Sequence, residues 1–223
     1  MTISILAFDE KSGTYGGAAT TGSLCVGGWV LRGDAESGLS ASQGSLPSTM
    51  WGNDVLALMR GGETAEAAVL QIVDADTGRD ERQLSALDPK GSTGAFTGAN
   101  SIPTAGVRFA PGVVVAGNLL ASEDVLDACL DRFLTAAEAM ETRLLNALGK
   151  AAQAGGDSRG LLSAALLVVG ADRPPLSLRV DYSEEPLKAL VDLHGRATSG
   201  NYARWAEHVP TLIDPHRAIP FPA

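Results

Sequence analysis

The chain has 223 residues, 45% of them hydrophobic and 19% charged, with 26 acidic against 17 basic side chains and a net charge of −9. That length buries a full core without disulfide or metal staples. The acidic balance, with its lysines scattered at Lys11, Lys90, Lys150 and Lys188, excludes the clustered basic footprint that nucleic-acid binding needs. The most apolar run, Leu161 to Gly170, contains Ser163. It is about half of the roughly 20 residues that span a bilayer, so no membrane partner is expected. The start, Thr2-Ile3-Ser4-Ile5-Leu6, has no basic segment or small-residue cleavage site and reads as a strand, not a signal peptide. A cytoplasmic protein is expected. Cys25 and Cys129 share no CxxC spacing, which predicts two buried thiols and no zinc site.

Thr2–Phe8 and Tyr15–Thr20 read as two strands joined by a polar turn at Asp9-Glu10-Lys11-Ser12-Gly13. A further strand pair is expected over Cys25–Leu31 and Ser37–Ser42. After Gln43-Gly44 the period changes. Met50, Trp51, Val55, Leu56, Leu58 and Met59 have helical spacing that stops at Gly61-Gly62. Thr64 is suited to cap a helix over Ala65–Asp74. Strands at Arg82–Leu87 and Ser92–Thr97 flank a turn at Asp88-Pro89-Lys90-Gly91, and another strand covers Gly112–Ala116. Ser122 is the expected N-cap of a helix carrying Val125, Leu126, Cys129, Leu130 and Phe133. Ala137–Gln153 is a second amphipathic helix. Leu161–Val169 and Leu176–Val180 are strands, Pro186–Arg196 is a last helix, and an irregular tail follows from about 198. This order predicts an α+β protein, one domain over 1–223, with two sheets and helix pairs outside them.

The standard loops GxxxxGK, GxGxxG and HExxH are all absent. The acidic stretch Asp74-x-Asp76-x-Gly78-x-Asp80 lacks calcium-loop spacing. A serine hydrolase using Ser4 or Ser42 would have to borrow a base from His194, His208 or His216, all in the last thirty residues. The N-terminus offers different chemistry. Removal of Met1 gives Thr2 a free α-amine, so that one residue supplies both a hydroxyl nucleophile and the base that takes its proton.

The pieces Thr2-Ile3-Ser4-Ile5, Ala41-Ser42-Gln43, Ala95-Phe96-Thr97-Gly98, Ala116-Gly117-Asn118-Leu119-Leu120 and Gly155-Gly156-Asp157-Ser158-Arg159-Gly160, followed by Ser163-Ala164-Ala165-Leu166, resemble a bacterial family catalogued as domain of unknown function 1028. The resemblance runs to about Arg196. That family is placed among the N-terminal-nucleophile (Ntn) hydrolase-like proteins, which implies a four-layer αββα sandwich, and it is distantly similar to proteasome β subunits. The likeness implies a catalytic set of Thr2, Gly117, Asn118 and Asp157. Thr2 is the nucleophile, Gly117-Asn118 the oxyanion site and Asp157 the residue that orients the N-terminal threonine. It further implies substrate-binding roles for Gln43, Arg159 and Ser163. One departure stands out: proteasome-type enzymes place a lysine beside the threonine, and here Arg32 is the nearest basic residue. An arginine cannot act as a base. Arg159 in the pocket would favour a carboxylate-bearing substrate, because its fork pairs with carboxylate in two parallel bonds.

The implied activity is hydrolysis of an amide or related C–N bond in a small metabolite, an amidohydrolase reaction needing no metal or organic cofactor. The alternative is a non-catalytic metabolite-binding or scaffold protein of the same fold. Tyr202, Trp205, Ile219 and Phe221 in the tail predict an apolar surface and with it a homo-oligomer.

Overall fold

The computed structural model describes residues 2–101, 104–155 and 160–221. Strands β1 (Thr2–Asp9) and β2 (Thr14–Thr21) form the expected hairpin, paired from Thr2↔Thr21 to Asp9↔Thr14. The turn closes because the Asp9 carboxylate accepts from Lys11 N and Ser12 Oγ, with Gly13 at φ 63°.

The next segment departs from expectation. Cys25–Leu31 is not a strand. Val26–Trp29 forms a single helical turn, α1, entered through Cys25 at φ 61°. Its N-terminus is pinned from below, because Ser163 Oγ accepts from Val26 N at 3.1 Å and donates to Ser23 O at 2.7 Å. Gly27 lets the turn lie flat: a Cβ there would stand 2.8 Å from Ala165 Cβ and 2.7 Å from Arg179 Cγ. These tertiary contacts override the β-branched local pattern.

Strands β3 (Leu31–Asp34) and β4 (Gly38–Gly44) follow, then helix α2 (Thr49–Arg60), capped where Ser48 accepts from Trp51 N. Helix α3 spans Ala65–Asp74 as expected, with Thr64 accepting from Ala67 N. Strands β5 (Arg82–Leu87) and β6 (Thr93–Thr97) also match. Strand β7 (Gly106–Ala110) was not anticipated. It is half-exposed and irregular in pattern, and its hairpin with β8 (Val113–Asn118) turns at Pro111-Gly112, Gly112 having φ 70°.

Helix α4 covers Asp124–Leu134 without a side-chain cap. Ser122 does not supply one, because its hydroxyl bonds to the Asp124 carboxylate. Helix α5 starts at Met140 (Met140–Gln153), three residues later than expected, after an extended Ala139. Strands β9 (Ser163–Gly170) and β10 (Arg173–Val180) lead to α6 (Pro186–Ala197). The tail is partly regular: Gly200–Ala206 is a short helix, α7.

The protein is mixed α and β, with two antiparallel sheets ordered β10-β9-β2-β1-β8-β7 and β3-β4-β5-β6. Side chains alternate across each strand, and three buried clusters follow from that. Ile3, Ile5, Ala18, Val115, Leu166 and Val168 pack one face of the larger sheet against α4, α5 and α6. Leu6, Ala19, Val114 and Val169 pack its other face against Leu31, Leu39, Ala41 and Leu87 of the smaller sheet. Leu84 and Ala86 then meet Trp51, Val55, Val69 and Val73 of α2 and α3.

Among the described residues no helix is long and apolar enough to cross a membrane, and no cluster of three or more His, Cys, Asp or Glu forms a metal-binding group. Both cysteines are free thiols. Cys129 is buried, whereas Cys25 is only half-buried, contrary to the expectation for that residue.

Candidate functional site

Register assembles the site. Thr2 lies opposite Thr21 on one side and Asn118 on the other, and Thr21 lies opposite Ser163. Directly opposed residues in antiparallel pairs share a face. Ser163, Thr21, Thr2 and Asn118 therefore form one rung across four strands, at the end of the space between the sheets. The face is the inter-sheet one, since Leu6 of β1, Ala19 of β2 and Val114 of β8 lie on it. Thr2 Oγ1 and Thr21 Oγ1 are 3.1 Å apart and hydrogen-bonded, either hydroxyl being able to donate.

Gln43 and Gln83 come down on this rung from the smaller sheet, where they are opposed in the β4–β5 register. Gln83 is fully buried and links the two sheets. Its Nε2 donates toward Thr97 Oγ1 (2.9 Å), Gly117 O (3.0 Å) and Gly106 O (3.2 Å). Its Oε1 accepts from Gln43 Nε2 (2.6 Å) and Asn118 Nδ2 (3.1 Å). The two carbonyls can only accept, so the Gln83 amide has one orientation. That orientation forces its neighbours: Gln43 and Asn118 must both turn an N–H toward Gln83. Gln43 Nε2 also lies 3.5 Å from Thr2 O, and Gln43 Oε1 is buried with no hydrogen-bond partner.

A pocket of about 260 Å³ opens beside Thr2. Thr2, Thr21 and Gln43 line its floor, Ser23, Leu24, Val26, Trp29 and Val30 one wall, and Gly44, Ser45 and Pro47 the other. Gly44 is required in that wall: its φ is 129°, and a Cβ would meet Glu81 O at 2.5 Å. A larger cavity, about 480 Å³, lies between β10 and the α7 region. It is remote from the rung and contains none of the expected nucleophiles.

Backbone strain concentrates around the same site. Cys25 (φ 61°) and Leu119 (φ 55°) are the non-glycine residues with positive φ among the described residues. One introduces α1 and the other follows Asn118 directly. Such conformations cost about 1–3 kcal/mol each and persist where the surroundings over-determine them. After Leu119, Leu120 N donates to Thr104 O, which turns the chain away from the end of β8.

The comparisons with known proteins fit this architecture. A family model described as a family of unknown function (DUF1028) matches residues 2–190. The chain belongs to the DUF1028 family. A crystal structure of a DUF1028 protein from Silicibacter pomeroyi is 47% identical, covering 100% of this chain and 97% of that one with a TM-score of 0.95. HslV from Trypanosoma brucei is 13% identical over 76% of this chain and 99% of that one, with a TM-score of 0.45. A likeness at that level fixes neither fold nor function. No curated protein matches the chain.

In this DUF1028 chain Thr2, Gly117, Asn118, Gln43 and Ser163 are brought together. The Ser163 hydroxyl is committed to α1, so it reaches the pocket through that turn. Asn118 is the last residue of β8 and bonds to Gln83; it is not a helix cap. Asp157 and Arg159 lie outside the described residues.

Arg32 is not in the pocket. Its guanidinium donates to Trp29 O (2.9 Å) and Gly28 O (3.1 Å), and desolvation holds it below its usual value. The serine–histidine alternative has its serines in β1 and β4 and His208 in the tail. Ser42 Oγ donates to Ser48 O, Ser4 Oγ is buried without a partner, and His208 faces Ile219 O in the tail.

Gln83 was the residue missed. Its signal was present: within Arg82–Leu87 it occupies the same alternation phase as Leu87, and an inward amide in a core strand demands buried partners.

Proposed function

We propose that this protein is an Ntn-type hydrolase built on a single four-layer αββα domain, cleaving an amide or related C–N bond in a small metabolite. Thr2, exposed by removal of Met1, is the nucleophile. Its Oγ1 attacks the scissile carbonyl while its α-amine takes the hydroxyl proton, which then passes to the leaving nitrogen. Water releases the acyl group from Oγ1 and restores the threonine. The Gly117-Asn118 segment stabilises the tetrahedral oxyanion. Asn118 spends one of its two side-chain N–H groups on Gln83, and preorganised donors of this kind contribute about 3–4 kcal/mol to the transition state. Asp157 orients the amine, and Gln43 and Arg159 bind polar groups of the substrate.

The observation that carries this reading is Thr2 itself: a hydroxyl at the first position of β1, hydrogen-bonded to Thr21, beside Asn118, on the floor of a pocket. The three packed clusters support the sandwich. The exposed Tyr202, Trp205, Ile213 and Ile219 support self-association through the tail.

Intact mass of the purified protein tests the first requirement, and a β-lactone acylating probe tests the second. Loss of Met1 and a single acyl adduct on Thr2, absent in Thr2→Ala, is the expected result. Retained Met1 with no adduct would overturn the mechanism and leave the non-catalytic metabolite-binding reading of the same pocket.

A further inference from the structure

We infer that the pocket beside Thr2 takes a small amide whose acyl group is apolar and uncharged, seated between α1 and the segment 44–47. The inference rests on Thr2 as nucleophile for its chemistry; its selectivity for the acyl group comes from the described walls, while Gln43 and Arg159 are left to the amide end of the substrate.

Val26 and Val30 are buried in one wall, Pro47 stands in the other, and Leu24 and Trp29 reach the lip at 53% and 51% exposure. Leu46, between the lining residues Ser45 and Pro47, is 63% exposed and extends the apolar rim. None of the described lining side chains carries a charge. Arg32, the one basic side chain close in sequence to that wall, is spent on the carbonyls of Gly28 and Trp29. A carboxylate or ammonium seated against these walls would lose its hydration with no counter-charge among the described lining side chains.

The polar complement is equally selective. The Ser23 carbonyl already accepts from Ser163. Gln43, 1% exposed and lining the floor, has an Oε1 without a partner. Gln83 fixes that amide, so the unmatched group is an acceptor and its complement is an N–H, as a primary or secondary amide supplies. A volume of about 260 Å³ is room for about nine water-sized groups at roughly 30 Å³ each, the size of a medium acyl chain with its amide.

The test uses the full chain and three amides of matched length: hexanamide, the monoamide of adipic acid, and 6-aminohexanamide. Each is titrated against intrinsic tryptophan fluorescence, with Trp29→Phe as the control that removes the local reporter. Hexanamide is expected to bind roughly tenfold or more tightly than either charged amide, and Trp29→Arg is expected to shift the preference toward the adipic monoamide. Equal or tighter binding of a charged amide, or binding of none of the three, overturns the inference. β-Lactone labelling of Thr2 is read separately. Selective binding without labelling leaves the apolar pocket standing and removes the nucleophile, whereas labelling without selectivity does the reverse.

Discussion

Gln83 gives the sharpest test of the site architecture, because one buried amide sets the direction of its neighbours. Replacement by Met keeps the length and removes both polar ends. Gln43 Nε2 then retains only the 3.5 Å approach to Thr2 O, and Asn118 Nδ2 loses the acceptor at 3.1 Å. Two buried donors left unsatisfied cost about 1–3 kcal/mol each, so about 2–6 kcal/mol together. In a chain of this size that lowers Tm by about 5–20 °C. Replacement by Glu separates the two ends of the amide. The carboxyl still accepts from Gln43 and Asn118, but its second oxygen faces the carbonyls of Gly106 and Gly117, where only a protonated acid can donate. The folded state therefore holds the proton more tightly than the unfolded chain, whose carboxyl titrates near 4.3. Stability of Gln83→Glu is thus highest below about pH 4.3. It falls by about 1.4 kcal/mol per pH unit as the pH rises toward the raised folded value, and levels beyond it. Urea denaturation at a series of pH values, with the parent chain run in parallel, measures that slope. A Gln83→Met protein as stable as the parent, or a Gln83→Glu protein with no additional pH slope, would refute the relay.

The other predictions concern the walls and the core. Burial pushes the Cys129 thiol up to about 12, so a thiol reagent near neutral pH should modify Cys25 alone in the folded protein and both cysteines after denaturation. Ser163→Ala should cost about 1–3 kcal/mol in denaturant melts, because it strips partners from Val26 N and Ser23 O. Gly27→Ala should lower Tm and weaken hexanamide binding together, since its Cβ would collide with Ala165 and lift α1 off β9. Arg32→Met should destabilise by about 1–3 kcal/mol through two lost carbonyl contacts while leaving the rate of Thr2 acylation unchanged, the opposite of what an arginine inside the pocket would give.

Much of the scaffold was readable from local chemistry. Thr64 caps its helix where it was expected to, and Arg82–Leu87 is a strand with the predicted bounds. The errors arose where distant partners decide. Cys25–Leu31 has strand-like residues, yet Ser163 and Ala165, more than a hundred positions away, turn it into a helical bend. β7 was missed because its hydrophobic alternation is weak and its place on the sheet edge comes from β8. Of the site, the Thr2 rung followed from the first strand and the family resemblance. The amide relay through Gln83 did not, since nothing local to β5 reveals that Gly106, Gly117 and Asn118 converge on it.

The rung also bears on when the site can form during synthesis. Thr21 follows Thr2 within one hairpin, and that pair can form as soon as the first strands leave the ribosome. Asn118 and Ser163 belong to strands made much later, and contacts of such separation are slow to close. The α1 wall cannot settle until the Ser163 hydroxyl is there to hold it. A nascent chain therefore carries Thr2 without a pocket around it for most of translation, and the pocket is complete only when β9 slots in beside β2.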